Sequence, residues 1–196
     1  MARNVEFFFD FGSPASYLAY TQLPRIATDC AASIVWRPML LGGVFKATGN
    51  SSPVTVPAKG RWMFDDLNRW AKRYGVQFVH NPHFPLNTLT LMRIATGLQS
   101  ARADDFARYC DAMFAAIWRD RCNLGDPVQL AAALSQAGLD ADACVALAAQ
   151  AEVKARLIAS TEEAVARGVF GAPSFFVGEQ MFFGQDRLDF VREALR

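Results

Sequence analysis

The sequence has no Cys-x-x-Cys pair: its four cysteines, Cys30, Cys110, Cys122 and Cys144, stand far apart in a chain of 196 residues. That excludes dithiol–disulfide exchange through a paired motif. The scattered thiols read as reduced side chains in a reducing, cytoplasmic compartment. Histidine is scarce as well. His80 and His83 share one loop with no second group of ligands, so no structural zinc site is expected. An excess of one charge sign is also missing. Twenty basic and 19 acidic side chains leave a formal net charge of +1, which argues against nucleic acid or an anionic membrane surface as partner. No run approaches the about 20 apolar residues that span a bilayer. Met1 to Arg3 leads straight into a strand-like stretch, so no secretory signal is expected. What is present is an ordinary globular composition, 52% hydrophobic and 20% charged. It suits one large domain or a small domain carrying an insertion.

Val5 to Phe11 is a short apolar run closed by Gly12 and Pro14, the pattern of a central strand buried on both faces. Ser13-Pro14 then opens a helix. Serine caps it, and proline suits the first helical position, where its missing N–H has no partner. The helix runs to about Asp29, and Ala32 to Pro38 reads as a second strand. Strand, helix and strand in this order make a parallel pair with a right-handed crossover. Residues 41–60, rich in Gly, Ser, Thr and Pro, read as a long ordered loop. Helical spacing returns over Trp62 to Tyr74, Asn87 to Leu98 and Phe106 to Ile117, with Trp62, Trp70 and Trp118 read as helical core. Asp126 caps another helix, Asp140 the next, and a long one runs from about Glu152 to Gly168. Pro173 to Val177 and Gln180 to Phe183 form a hairpin, and Asp186 caps a final helix to about Leu195. The order predicts an α/β fold whose two ends rejoin in one mixed sheet. Residues 1–60 and 160–196 form the discontinuous sheet domain, and 61–159 an inserted helical domain.

Three places carry possible chemistry. Ser13 follows a strand and begins a helix, where unpaired N–H groups and the helix dipole stabilise an anion. A cysteine there has its pKa lowered from ~8.5 to as low as ~3.5. A serine cannot exchange disulfides, but it can donate a hydrogen bond to a thiolate brought by a ligand. On local evidence alone a simple N-cap explains Ser13 as well, and more commonly. Ala172-Pro173 is either a plain structural strand start or a cis bond that presents the Ala172 backbone to a ligand. Gln185 and Asp186 either begin a helix or hold an ammonium and carboxylate. Asn50 has a turn reading, Lys59 an exposed-charge reading, and Asn87 a cap reading favoured over contact with a substrate. Phe84, or Trp62 if it is not core, would offer a flat apolar face to a ligand.

Taken together, these residues carry a resemblance. Phe9-Asp10-Phe11-Gly12-Ser13-Pro14-Ala15-Ser16-Tyr17-Leu18 closely resembles the opening motif of the 2-hydroxychromene-2-carboxylate isomerases. Those stand with the kappa-class glutathione transferases in the DsbA-like branch of the thioredoxin superfamily. The likeness continues through Lys46 to Asn50, Val56 to Lys59, Asn81 to Pro85, Gly168 to Pro173 and Phe183 to Arg187. It implies a thioredoxin-like fold with an inserted all-helical domain, and glutathione bound as cofactor in the cleft between them. Ser13 would hydrogen-bond the glutathione sulfur and favour its thiolate. Pro173 would be cis, with the Ala172 backbone pairing with the tripeptide. Gln185 and Asp186 would bind the γ-glutamyl end, and Asn50 and Lys59 the glycyl end or a substrate carboxylate. The family more often carries a bulkier residue than Ala172, and Asn or Ser where Gln185 stands. The implied activity is interconversion of 2-hydroxychromene-2-carboxylate and trans-o-hydroxybenzylidenepyruvate, a small aromatic carboxylate pair, by a homodimer. Rival readings are a transferase that conjugates glutathione to electrophiles, a DsbA-like oxidoreductase, and a binding protein without catalysis. The missing Cys-x-x-Cys opposes the second.

Overall fold

Three consecutive phenylalanines explain where the centre of the fold lies. Side chains alternate between the faces of a strand. Phe7 and Phe9 therefore join one core with Phe11, Tyr109 and Phe114, while Phe8 joins a second with Met39, Val44, Ala164 and Phe176. A strand apolar on both faces has to sit inside a sheet covered on both sides. The computed structural model, which describes residues 3–196, places it there. Strand β1 (Asn4–Phe9) lies between β2 (Ser33–Pro38), parallel to it, and β3 (Ser174–Val177), antiparallel. Strand β4 (Gln180–Phe183) completes a four-stranded mixed sheet in the order β2-β1-β3-β4. Phe7 stacks on Phe175 across the β1–β3 pair, with centroids 5.2 Å apart. The two ends of the chain thus rejoin, as their strand patterns predict.

Helix α1 (Pro14–Asp29) makes the crossover from β1 to β2. Residues 41–60 are not the loop that their composition predicts. They hold α2 (Leu41–Thr48), a 3-10 turn at Pro53–Thr55, and the first turn of α3 (Pro57–Tyr74). Leu41, Val44 and Phe45 recur at helical spacing, and burial of Val44 against Phe8 and Met39 overrides the poor propensity of Gly42 and Gly43. Pro57 stands at the first helical position, the same start signal that Pro14 gives α1.

The block between the strands continues with α4 (Leu89–Ala101), α5 (Ala103–Trp118), α6 (Pro127–Gln136), α7 (Ala141–Ala149) and α8 (Ala151–Ala166). Asp126 and Asp140 cap α6 and α7 through their carboxylates, as expected. Helices α4 and α7 touch at Gly97, where an added Cβ would stand 2.5 Å from Leu147 Cγ. Trp118, fully buried at the end of α5, donates its indole N–H to the Phe11 carbonyl at 2.8 Å and so ties the block to the end of β1. Helix α8 covers the other sheet face, where Arg167 lies 3.8 Å over the Phe176 ring and 2.8 Å from Glu6. The chain ends in α9 (Leu188–Ala194). Asp186 does not cap α9. It sits within a 3-10 turn at Gln185–Arg187, and its carboxylate pairs with Arg187 at 2.6 Å. No helix among the described residues is long and apolar enough to cross a membrane.

Candidate active site

Strand β1 delivers the chain to the start of α1 through a tight reversal. The Ser13 N–H donates to the Asp10 carbonyl at 3.0 Å, and the Gly12 N–H to the Asp10 carboxylate at 2.8 Å. Ser13 is then extended, at φ −94° and ψ 113°, and buried. Its hydroxyl oxygen accepts from the Ser16 N–H at 3.1 Å, which is the N-cap bond. The same hydroxyl donates to the Ala172 carbonyl at 2.9 Å. Ala172 precedes Pro173 across a cis peptide bond, just before β3 pairs with β1 at Ser174. The Ala172 N–H donates to no acceptor among the described residues. Ser13 thus caps α1 and also faces the backbone of a segment 159 residues away.

A cavity of about 740 Å³ opens over this contact. That is the size of a small-molecule cleft, and its wall is mostly apolar with a few polar groups. Asn50 lines it and bridges its walls: its amide donates to the Phe170 carbonyl at 2.8 Å while its side-chain oxygen accepts from the Ser51 N–H at 2.8 Å. On the far wall, Gln185 and Asp186 face the same space. The Gln185 carbonyl accepts from the Tyr74 hydroxyl at 2.6 Å. Burial, with Asp189 and Asp186 nearby, pushes that hydroxyl up to about 12, so it stays a donor. Asp66 and Asp186 are paired with Arg69 and Arg187. Lys59, exposed on the first turn of α3, is the lining cation with no carboxylate partner among the described residues. The cleft thus presents a helix N-terminus with a hydroxyl, a free backbone N–H, and one available positive charge.

The family model for DsbA-like thioredoxin domains matches residues 4–196. A 2-hydroxychromene-2-carboxylate isomerase from Sphingobium xenophagum is 33% identical over 197 residues, which span 100% of this chain and 99% of that one. The chain belongs to this isomerase family. Its fold is accordingly thioredoxin-like with a helical insertion. A solved 2-hydroxychromene-2-carboxylate isomerase aligns with a TM-score of 0.86 at 29% identity, covering 98% of this chain and 94% of its own. Human glutathione S-transferase kappa 1 is 29% identical over 100% of this chain and 92% of that protein.

Eight positions singled out from sequence line the cleft of this isomerase-family chain: Ser13, Asn50, Lys59, Trp62, Phe84, Ala172, Gln185 and Asp186. Two do not. Pro173 is buried behind Ala172, and Asn87 is exposed outside, its side-chain oxygen accepting from the Leu89 N–H at 3.1 Å. The N-cap position of α4 is Thr88, and Asn87, one residue earlier, serves the helix start through this bond to Leu89. Trp62 is not core, whereas Trp118 is: Trp62 lines the cleft while 64% exposed, and Phe170 and Phe183, tilted against each other with centroids 4.6 Å apart, line it too. Sequence reading missed two buried polar lining residues, Asp10 and Thr88, and the aromatic pair Phe170 and Phe183. The Asp10 carboxylate accepts from the Gly12 and Leu41 N–H groups, each at 2.8 Å, and the Thr88 side chain lies nearby. Burial pushes its carboxyl up, and the Leu41 and Gly12 N–H groups, with a smaller influence from Thr88, pull it back. The available signal was a lone charge inside a run of phenylalanines.

Proposed function

We propose that this chain is a glutathione-dependent isomerase that interconverts 2-hydroxychromene-2-carboxylate and trans-o-hydroxybenzylidenepyruvate. One observation carries the reading: the Ser13 hydroxyl stands at the N-terminus of α1, inside the cleft, opposite a backbone segment that can still donate. The residues fit the tripeptide. An anionic sulfur suits the first turn of α1, a peptide suits the free Ala172 N–H, and an amino-acid end suits Gln185 and Asp186. When bound, glutathione supplies a nucleophilic sulfur whose reversible addition to a conjugated double bond permits rotation about it.

The remaining work belongs to this chain. With glutathione bound, the single proton of the Ser13 hydroxyl turns from the Ala172 carbonyl to the sulfur, and this donor and the dipole of α1 both favour the charged form. Lys59 and Asn50 anchor a carboxylate, fixing the substrate relative to Ser13. Trp62, Phe170 and Phe183 offer apolar area to a fused ring and exclude water from it. An ultraviolet assay of the two isomers tests the reading. Turnover that appears only with glutathione is expected; turnover without it, or none with it, refutes the proposal. The likeness to human glutathione S-transferase kappa 1 supports a second reading, conjugation of an electrophile. Mass spectrometry separates them, since only a conjugate retains the sulfur.

A further inference from the structure

Asp10 stands inside the motif that carries the family resemblance, yet the proposed chemistry gives this buried carboxylate no role. It is 1% exposed, yet it lines the cleft. Three parts of the fold meet at its carboxylate. Gly12 belongs to the turn that presents Ser13, Leu41 is the first residue of α2, and Thr88 immediately precedes α4. Each is also a wall of the cleft. The meeting point is tight: a Cβ on Gly12 would stand 3.1 Å from Thr88 Cγ2 and 3.3 Å from Asp10 Oδ1. A carboxylate has two oxygens that both accept, so it can serve N–H groups from two directions at once. No neutral side chain of that size does so.

We propose that Asp10 is a positioning residue, a buried node that holds the Ser13 turn in register with α2 and α4 and thereby sets the geometry of the sulfur site. The chain reversal depends on it twice, through its own carbonyl to the Ser13 N–H and through its carboxylate to the Gly12 N–H. Removing one acceptor leaves an N–H facing a donor, and the turn shifts to relieve it. A displaced Ser13 turn stabilises an anion less well. This inference rests on the reading of Ser13 as an anion-stabilising site, and its test works without glutathione.

The probe is the full chain carrying Ser13→Cys, in which the alkylation rate of the introduced thiol at fixed pH reports its thiolate fraction. Adding Asp10→Asn is expected to slow that alkylation about tenfold, equivalent to roughly one unit of thiol pKa. Adding Thr88→Val instead, which removes the hydroxyl beside Asp10 and keeps the shape, is expected to slow it in the same direction and by less. Buried Cys110 and Cys144 report folding, since they stay unreactive in an intact protein. An unchanged rate in both variants with those thiols protected would make Asp10 merely structural and overturn the proposal. A faster rate would overturn it too, because Asp10 would then act as an opposing charge. Calorimetry of glutathione on the unmodified protein tests the earlier functional reading separately.

Discussion

Ser13→Ala separates the two jobs of one hydroxyl. Its structural part follows from two hydrogen bonds. Loss of the cap on the Ser16 N–H costs about 1 kcal/mol. Loss of the donor to the Ala172 carbonyl costs about 1 kcal/mol more. Together they lower Tm by roughly 4–8 °C in a chain of this size, which leaves the protein folded at ambient temperature. The chemical part is larger in effect. A hydrogen bond to a charged group is worth ~1.5–3 kcal/mol, so its loss raises the thiol pKa of bound glutathione by about one to two units. At neutral pH that lowers the rate by roughly tenfold to a hundredfold. The informative assay is the pH–rate profile of isomerisation, not a single rate. Its acid limb should move up by the same one to two units, and activity should recover in part at higher pH. A folded Ser13→Ala protein with an unmoved acid limb would remove the hydroxyl from thiolate stabilisation.

Three further outcomes follow from other parts of the molecule. Gly97→Ala places a methyl 2.5 Å from Leu147 Cγ, and urea denaturation should show a loss of about 1–3 kcal/mol from overpacking between α4 and α7. Trp62→Ala should leave stability within about 0.5 kcal/mol because the ring is exposed. It should raise KM for the aromatic substrate roughly threefold to tenfold, the value of one stacking contact. Asp10 gives a pH signature: burial raises its carboxyl in the folded state, so the folded protein holds that proton more tightly than the unfolded chain. Its contribution is fully present below the ordinary carboxylate range and lost as pH rises through the folded value. The unfolding free energy of the natural protein relative to Asp10→Asn should therefore fall with rising pH across that window, measured by denaturant titration at a series of pH values.

Much of this architecture was legible in the residues because its signals are local. The phenylalanine run, the Ser13-Pro14 start, the Asp126 and Asp140 caps, and the hairpin around Gly178 each act within a few positions. The start of α3 at Pro57 was equally local and was masked by its polar surroundings. Helix α2 was not legible in the same way. Two glycines weaken its propensity, and it forms because Val44 finds Phe8 and Met39 across the fold. The site followed the same division. Ser13 could be placed at a helix start from its neighbours, but its bond to Ala172 joins segments that only the sheet brings together. Asp10 was passed over because its significance lies in Leu41 and Thr88, which are distant in sequence. The exposure of Trp62 escaped for the converse reason: helical spacing says which residues share a face, and not whether another element covers it.

The position of β1 has a consequence for synthesis. One of its edges meets β2 within the first 38 residues, while the other waits for β3 at Ser174. At bacterial-to-eukaryotic translation speeds that interval lasts on the order of ten seconds. Throughout it, a growing polypeptide carries a greasy strand with one bare side, and the helices emerging meanwhile have no finished sheet to rest on. Late arrival of the hairpin closes that side and, in the same motion, brings Ala172 to Ser13. A ribosome that stalls before the hairpin emerges would release a product that is both sticky and inert.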